Sequence, residues 1–188
     1  MSPRVVWRIH AGERGEAHDL FVNDNLIALR RDNMGDITRL TDRGQFSEAY
    51  DQANPGLSDR QLSNEGGQYY RFVREMQPGD IVVYPAKEDP EGTVFVGEVM
   101  GDCKYCPEVD PEYAYQRPMD WLATFPRTAL SKEEAYVLGT GITLCQVLGH
   151  VDVYISALEA SRKPLLYEVV EMIRTEDLTH GALEGGQK

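Results

Sequence analysis

The sequence predicts an α+β fold in which helices flank a small, curled sheet or open β-barrel. Five or six short runs of β-branched and aromatic residues alternate irregularly with helical segments, without the regular β-α-β order of a doubly wound fold. With 188 residues, of which 41% are hydrophobic and 27% charged, the chain has room for one domain with its own core. Two full enzyme domains are excluded by length.

The N-terminal segment is predicted to be rich in strands. Val5–Ile9 forms a short β-prone run that ends at Ala11-Gly12. Phe21-Val22 and Leu26–Leu29 are separated by Asn-Asp-Asn, a turn sequence, and this pattern predicts a hairpin.

Two helices should follow. Residues 41–52 form a polar segment with apolar Phe46, Ala49 and Tyr50, and the turn residues Asn54-Pro55-Gly56 end it. The second helix carries an apolar stripe at helical spacing, formed by Tyr69, Phe72, Val73 and Met76. This stripe predicts that the helix packs on the sheet.

The middle of the chain predicts the remaining strands. Ile81–Tyr84 and Thr93–Val99 are β-branched runs joined by the polar segment 87–92, so they should pair. Further strands are predicted at Met119–Leu122 and Ile142–Leu148. Between them, Ser131 and Glu134 form a capping box that should open a short helix ending at Gly139.

The C-terminal segment is predicted to be helical. One apolar stripe consists of Val151, Tyr154, Ile155 and Leu158, and a second runs from Leu166 to Ile173 after Pro164. From Thr175 the chain is polar and rich in glycine, so it should fray. We therefore divide the chain into a domain at residues 1–148 and a helical extension with a tail at residues 149–188. This extension could dimerise or cover a sheet edge.

The charge is negative and unevenly distributed. The formal net charge is −12, which by itself argues against nucleic-acid binding. Residues 1–74, however, contain ten arginines, no lysine and eleven carboxylates, whereas residues 75–188 carry a net charge of −11. Guanidinium groups bind phosphates and base edges in pairs and stack on rings. Composition bias explains the arginines equally well.

A soluble cytoplasmic protein without a membrane segment is expected. No run approaches the ~20 apolar residues that cross a bilayer, and the first fifteen residues include charged side chains. Three cysteines, an odd number, do not suggest the disulfide framework of a secreted domain. The sequence does not determine the oligomeric state.

The cysteines give only a weak metal signal. Cys103 and Cys106 form a CxxC pair, which Cys145 and His150 could complete as a Cys₃His zinc site. A second pair at ligand spacing is missing, so the simpler interpretation is two cysteines in a loop, one in a strand and a histidine in a turn. We predict no metal and no cofactor.

No catalytic motif is recognisable in the sequence. GxSxG, Walker A, HExxH and GxGxxG are all absent, and no acidic strand is followed by the Glu-x-Lys of a metal-dependent nuclease. The four histidines, His10, His18, His150 and His180, have no context that suggests a triad. The chain is therefore predicted to bind rather than to catalyse, although an unrecognised or zinc-dependent enzyme stays an alternative.

Five aromatic residues could converge at one mouth of the predicted barrel: Trp7, Tyr69, Tyr70, Tyr84 and Trp121. Core packing is the ordinary explanation for each of them. Two tryptophans on different strands beside a polar Asn would, however, suit a pocket for an everted or methylated base.

An ordered series of short motifs resembles a known family. The series comprises Trp7–Gly15, Met34–Ile37, Ser63–Gln68, Tyr70–Val73, Met76, Gly79–Pro85, Gly97–Val99, Gly101-Asp102, Tyr105, Arg117-Pro118, Trp121-Leu122 and Pro126-Arg127. Together these motifs resemble the N-terminal module of Mrr-type, modification-dependent restriction endonucleases, a PUA-like domain related to the EVE and YTH readers. The resemblance extends from residue 5 to about residue 148.

The resemblance implies a compact barrel that everts a modified base of DNA into an aromatic pocket, while a separate nuclease domain or subunit cuts. It implies a pocket lined by Trp7, His10, Asn64, Tyr84 and Trp121, and nucleic-acid contacts from Arg8, Arg14, Arg30, Arg31, Arg71 and Arg117. Three positions depart from the family pattern. His10 replaces an arginine, Leu29-Arg30-Arg31 replaces a tryptophan before the Gly-Asp, and Tyr115 replaces a histidine. These departures affect the identity of the base more than the fold.

Two functions therefore follow as hypotheses. The first is a reader of DNA with a methylated or hydroxymethylated base, acting as the recognition part of a restriction or phage-defence system. The second is an acidic protein-interaction or DNA-mimicking module whose C-terminal half binds a basic partner.

Overall fold

In the part of the chain that the structure describes, seven strands form one sheet that curls into a half-barrel. The structure is a computed structural model and describes residues 4–87, 92–139 and 141–162. The strands are β1 (Val6–Ile9), β2 (Leu26–Leu29), β3 (Ile81–Pro85), β4 (Thr93–Val99), β5 (Lys104–Tyr105), β6 (Tyr115–Pro126) and β7 (Leu144–Gln146). Their spatial order is β2-β6-β4-β3-β1-β7, and β5 pairs with β6 beside this path. β2 and β7 are therefore the end strands of the order.

Helices lie on both faces of this sheet. They are α1 (His18–Val22), α2 (Arg43–Ala53), α3 (Asp59–Tyr70), α4 (Lys132–Leu138) and α5, which covers residues 151–162. A π-helical turn, Arg71–Glu75, continues α3, and a 3₁₀ turn, Arg127–Ala129, follows β6. Complete capping boxes begin α2, α3 and α4, at Asp42, Ser58 and Ser131. Each box satisfies amide groups that the first turn of a helix leaves unpaired.

The strand residues alternate between two hydrophobic clusters. On β3, Val82 and Tyr84 face the larger cluster, which Phe21 of α1, Phe46 of α2 and Phe72 of the π turn complete. The neighbouring residues of β3, Ile81 and Val83, face the second cluster, which includes Leu138 of α4 and Tyr154 and Leu158 of α5. β3 is buried along its whole length, as expected for a central strand covered on both faces.

β6 curls the sheet because it pairs with different partners along its length. Its first residues pair with β2, and from Met119 onward it pairs with β4. The β4 register shifts between Val96 and Gly97 at a bulge. A Cβ on Gly97 would lie 2.4 Å from the Asp120 carbonyl oxygen, so this position needs glycine. Bulges of this kind bend a strand and increase its twist.

The α+β class and several predicted elements are confirmed. β3 and β4 pair antiparallel, α2 ends at Ala53 before the Asn-Pro-Gly turn, and the Ser131 box opens α4. The stripe residues Tyr69, Phe72 and Val73 lie on α3 and its π turn, Met76 directly follows that turn, and residues 151–162 are helical. The stripe at Leu166–Ile173 and the tail from Thr175 lie outside the described residues.

Two predictions about strands are corrected. The hairpin at Phe21–Leu29 is wrong, because His18–Val22 forms α1, in which Leu20 and Phe21 are buried. A three-residue apolar run does not distinguish one helical turn from a strand. The strand predicted at Met119–Leu122 extends from Tyr115 to Pro126, and β5 was not predicted.

Among the described residues, no helix is both long and apolar enough to cross a membrane.

Candidate functional site: a cleft at the seam of the half-barrel

A cleft of about 320 Å³ lies where the two ends of the sheet approach each other. Its walls come from β2, from the segment leading into β7, from the loop after β1 and from α3. The lining residues are Gly12, Glu13, Ala28, Leu29, Arg30, Asp32, Tyr50, Glu65, Gln68, Tyr69, Tyr113, Gly141 and Thr143. Most of these side chains are polar or aromatic. The cleft is therefore a polar site with ring faces rather than an apolar cavity.

Gln68 joins α3 to the sheet at this seam. Its side-chain oxygen accepts a hydrogen bond from the backbone N–H of Leu144 on β7, 2.9 Å away. Its Nε2 donates to Oε2 of Glu65, also over 2.9 Å. Gln68 is buried, and its bond to Leu144 is shielded from water, whereas its bond to Glu65 is only partly buried. Gln68 thus provides a partner for one backbone N–H of β7 and fixes the Glu65 carboxylate in the cleft wall.

A tight turn after β2 supplies Asp32. Asp32 and Asn33 both adopt left-handed backbone conformations, with φ of 44° and 62°. Asn and Asp tolerate this region better than most residues. The backbone N–H of Arg31 donates to the Glu112 carbonyl over 2.7 Å, and Nδ2 of Asn54 donates to the Asp32 carbonyl. The turn is therefore anchored from two sides, and its carboxylate faces α3.

Tyrosine rings form the aromatic part of the cleft. The rings of Tyr50 and Tyr69 are 5.7 Å apart and inclined by 32°. The Tyr69 hydroxyl donates to Oδ2 of Asp32 over 2.6 Å, which fixes the position of its ring. Burial, and next the Asp32 carboxylate, raise the pKa of Tyr50 to about 12. Burial, with Glu16 nearby, raises the pKa of Tyr113 to about 12 as well. These tyrosines therefore stay neutral near pH 7.

The carboxylates give the cleft a surplus of hydrogen-bond acceptors. Burial raises the pKa of Glu65, and the negative charge of Asp32 raises it further. Arg30 forms an ion pair with Glu112, and its Nε lies 3.9 Å from Oδ1 of Asp32. Arg30 therefore compensates the charge of Asp32 only weakly, at the exposed end of the cleft.

The pocket residues that the resemblance implied do not meet in one place. Trp7 is 2% exposed and its Nε1 donates to Oδ2 of Asp80 over 2.9 Å. Tyr84 and Trp121 lie with their rings 6.2 Å apart in a separate aromatic cluster beside Phe95. His10 is buried, and Asn64 is exposed on α3. None of these five residues belongs to the cleft lining, although Asn64 directly precedes Glu65.

The six predicted arginine contacts divide between the surface and the interior. Arg30 lines the cleft and Arg14 is exposed. Arg31, which follows Arg30 in the chain, is half-buried. Arg71 is half-buried on the π turn, 3.9 Å from Glu75. Arg8 is 0% exposed, and one of its guanidinium nitrogens donates to Sγ of Cys145.

Arg117 is 1% exposed and donates to the backbone carbonyls of Phe72, Val73 and Gly101. We therefore reassign Arg8 and Arg117 to the fold, because nucleic acid cannot reach buried guanidinium groups.

The four residues of the weak zinc candidate do not form a site. Cys145 lies on β7, the last strand of the spatial order. Cys103 and Cys106 flank β5, which pairs with β6 near the other end of that order. Burial raises the pKa of Cys103 to about 12, which disfavours the thiolate that a metal needs. In the part of the chain that the structure describes, no group of three or more His, Cys, Asp or Glu side chains could hold a metal.

Sequence reasoning missed most of the cleft residues, among them Asp32, Tyr50, Glu65, Gln68 and Tyr113. One signal was available. Gln68 precedes Phe72 by four residues and so shares the buried stripe of the helix. A glutamine on an apolar stripe needs hydrogen-bond partners, and such a position is a reason to look for a site.

The chain matches the model of a protein family. The model of a family described as a domain of unknown function (DUF8426) matches residues 7–143, from β1 to the residue before β7. The matched range includes every residue that lines the cleft. A search of the curated proteins finds no match.

Proposed function

The chain belongs to the DUF8426 family, and we propose that it binds DNA carrying a modified base, which is everted into the cleft between β2 and β7. The observation that carries this proposal is the cleft itself. It places the half-buried ring of Tyr50 next to hydrogen-bonding groups on Asp32, Glu65 and Gln68. An everted base is read by stacking on a ring and by hydrogen bonds to its Watson–Crick edge.

The dimensions and the surroundings of the cleft support a small planar ligand. Its volume of about 320 Å³ lies at the lower end of the range for small-molecule sites. Base–aromatic stacking stabilises a bound base by about 1–3 kcal/mol. Tyr69, held by Asp32, keeps the ring of Tyr50 in a fixed environment. A pre-organised ring of this kind binds with a small loss of side-chain entropy.

Exposed arginines of the first 74 residues are suited to phosphate contacts around the cleft. Arg30 lies on the cleft wall and Arg14 in the loop after β1, and both are exposed. Because the whole chain carries a net charge of −12, the non-specific attraction to DNA should be weak. Binding should then depend on the base in the cleft.

We extend the proposal to the fold family and the biological setting. The curled half-barrel with flanking helices agrees with a PUA-like domain of the EVE and YTH type, which the ordered motifs resemble. In this proposal the chain recognises DNA in a restriction or phage-defence system and does not cut it. A separate nuclease subunit or domain would make the cut.

The proposal is tested by fluorescence anisotropy on labelled duplexes that differ in a single base. The panel contains unmodified DNA and duplexes with one 5-methylcytosine, 5-hydroxymethylcytosine or N6-methyladenine, each at two salt concentrations. We expect one modified duplex to bind at least about tenfold more tightly than unmodified DNA, which corresponds to a difference of ~1.4 kcal/mol in binding free energy.

Tyr50→Ala should abolish the preference, because it removes the stacking ring. Tyr136→Ala is the matched control, since Tyr136 is an exposed tyrosine on α4, outside the cleft lining. Equal affinity for all duplexes, or an unchanged preference in Tyr50→Ala, would refute the proposal. Failure to bind any duplex even at low salt would favour the alternative function, an acidic module for a basic protein partner.

A further inference from the structure

We infer that the cleft selects its base by the exocyclic amino group at C4 of cytosine or C6 of adenine. Cytosine-type and adenine-type bases are accepted, and keto bases, which have a carbonyl at that position, are rejected. This inference rests on the proposed function, because it concerns the same cleft. Cytosine and adenine present an amino group beside a ring-nitrogen acceptor, whereas thymine presents a carbonyl oxygen at the corresponding position. The chemistry of the cleft walls matches the first arrangement.

The first observation is that two carboxylates of the cleft have unused acceptor capacity. Oε2 of Glu65 accepts from Gln68, and in the described part of the chain Oε1 has no hydrogen-bond donor. Oδ2 of Asp32 accepts from Tyr69, and the nearest guanidinium nitrogen to Oδ1 is 3.9 Å away. An amino group donates to such oxygens, and a carbonyl oxygen in its place would face negative charge without a hydrogen.

The second observation is independent of these carboxylates. Tyr113 lines the cleft and is 4% exposed, yet its hydroxyl has no hydrogen-bond partner among the described residues. A buried hydroxyl without a partner is unfavourable. This hydroxyl lies beside Gly12, where a Cβ would come within 2.4 Å of it. It is suited to donate to a ring nitrogen such as N3 of cytosine, which lies next to the amino group.

The position of both carboxylates is fixed before a ligand binds. Gln68 holds Glu65 while its own oxygen is bonded to the Leu144 N–H, and Tyr69 holds Asp32. A site built to pair with a polar group strongly rejects an analogue that leaves that site unpaired. The discrimination should therefore be set by hydrogen bonding, whereas a methyl group elsewhere on the base changes only packing and stacking.

The test compares two pairs of bases that differ in the amino group. Labelled duplexes carry 5-methylcytosine or thymine, or N6-methyladenine or hypoxanthine, opposite an abasic site, so that none of the four is held by a partner base. We expect the amino-bearing member of at least one pair to bind about tenfold more tightly or better. Glu65→Gln should narrow that ratio, because an amide can donate to the carbonyl of a keto base. Glu133→Gln on α4 is the exposed control.

The outcomes separate the two proposals. Binding with equal affinity within both pairs would overturn this inference and leave the proposed function standing. Absence of binding to all four duplexes and to the modified panel would overturn both. The wild-type comparison needs no variant, so a folding defect of Glu65→Gln does not affect it. If Glu65→Gln does not fold, Asp32→Asn, checked by thermal unfolding, provides the second measurement. An unchanged affinity ratio between the amino-bearing and keto bases in a folded variant would also contradict the inference.

Discussion

The side chain of Gln68 accepts a hydrogen bond from the backbone N–H of Leu144 across 76 positions of the chain. This bond joins helix α3 to the edge strand β7, and it closes one side of the cleft. Because the other end of the amide holds Glu65, the stability of the seam and the geometry of the cleft depend on the same residue.

Gln68→Ala should therefore destabilise the protein. It leaves the Leu144 N–H buried without a partner, and a loss of this kind costs about 1–3 kcal/mol. Urea unfolding followed by circular dichroism measures the change. Gln52→Ala on the exposed face of α2 is the control and should stay within about 0.5 kcal/mol of wild type. Equal stabilities of the two variants would contradict the role of the seam bond.

Arg117 should contribute strongly to stability although it is charged. Its guanidinium donates to the carbonyls of Phe72 and Val73 in the π turn and to Gly101, with distances of 2.7–3.2 Å. Arg117→Lys keeps the charge and loses the fork, so we expect a loss on the order of 2–3 kcal/mol. Arg127→Lys, at an exposed arginine, should be nearly neutral. A wild-type unfolding midpoint for Arg117→Lys would refute this role.

The two glycines of α3 should respond oppositely to alanine. Alanine normally stabilises a helix interior relative to glycine by about 1 kcal/mol. A Cβ on Gly66 would lie 2.6 Å from Cα of Ser47, so Gly66→Ala must push α2 away and should destabilise by about 1–3 kcal/mol. A Cβ on Gly67 meets only the flexible guanidinium of Arg43, so Gly67→Ala should be neutral or stabilising. Thermal unfolding distinguishes the two, and equal effects would contradict the close helix contact.

The raised pKa of Glu65 predicts a pH dependence of stability. Burial, and then Asp32, raise this pKa in the folded state, so the folded protein binds a proton more tightly than the unfolded chain. The contribution of Glu65 to stability should therefore fall as the pH rises through the window that begins at the ordinary glutamate pKa of about 4.3. Glu65→Gln cannot titrate, and its stability relative to wild type should increase across that window.

Glu134 is the control of opposite sign. Hydrogen bonds from the backbone and hydroxyl of Ser131 lower its pKa, so its contribution to stability is present at neutral pH and is lost as the pH falls. Relative to wild type, Glu134→Gln should therefore gain stability on acidification. Denaturant unfolding at pH 2.5 to 7 covers the window above the ordinary glutamate pKa of about 4.3 for Glu65 and the window below it for Glu134. Parallel pH profiles for the two variants would contradict the assignment.

Removing the Tyr113 hydroxyl should stabilise the free protein. The hydroxyl is buried without a partner in the described part of the chain, so Tyr113→Phe removes an unsatisfied polar atom. We expect a gain of up to about 1 kcal/mol in thermal unfolding. Tyr69→Phe should instead lose about 1 kcal/mol, because the Tyr69 hydroxyl is bonded to Asp32. A destabilised Tyr113→Phe would show that its hydroxyl has a partner.

The sequence predicted the elements whose signals are local. The β-branched runs identify β3 and β4, and the Ser131-Glu134 box identifies α4, because propensity and capping act within a few residues. The same signals do not identify α1, which has five residues, and among the described residues no side chain caps its first turn. Its helical form depends on burial of Leu20 and Phe21 in the larger cluster.

The site could be predicted only in part. The charge distribution drew attention to the arginine-rich first segment, and one of its arginines, Arg30, lines the cleft. Trp7, by contrast, is buried by an indole bond to Asp80 that spans 73 positions, and no local pattern indicates that bond. The assignment of residues 1–148 to one domain stays a prediction, as do the nuclease partner and the cytoplasmic location.

The sequence by itself determined the α+β class, most strands and helices, and the separation of charge between the two parts of the chain. Only the tertiary structure decided that β1 pairs parallel with β3, that β2 and β7 end the strand order, and that Asp32, Glu65 and Gln68 meet between them. The physical reason is the range of the forces. Helix and strand preferences act over neighbouring residues, whereas a cleft forms where distant segments bury their polar groups together and must satisfy one another.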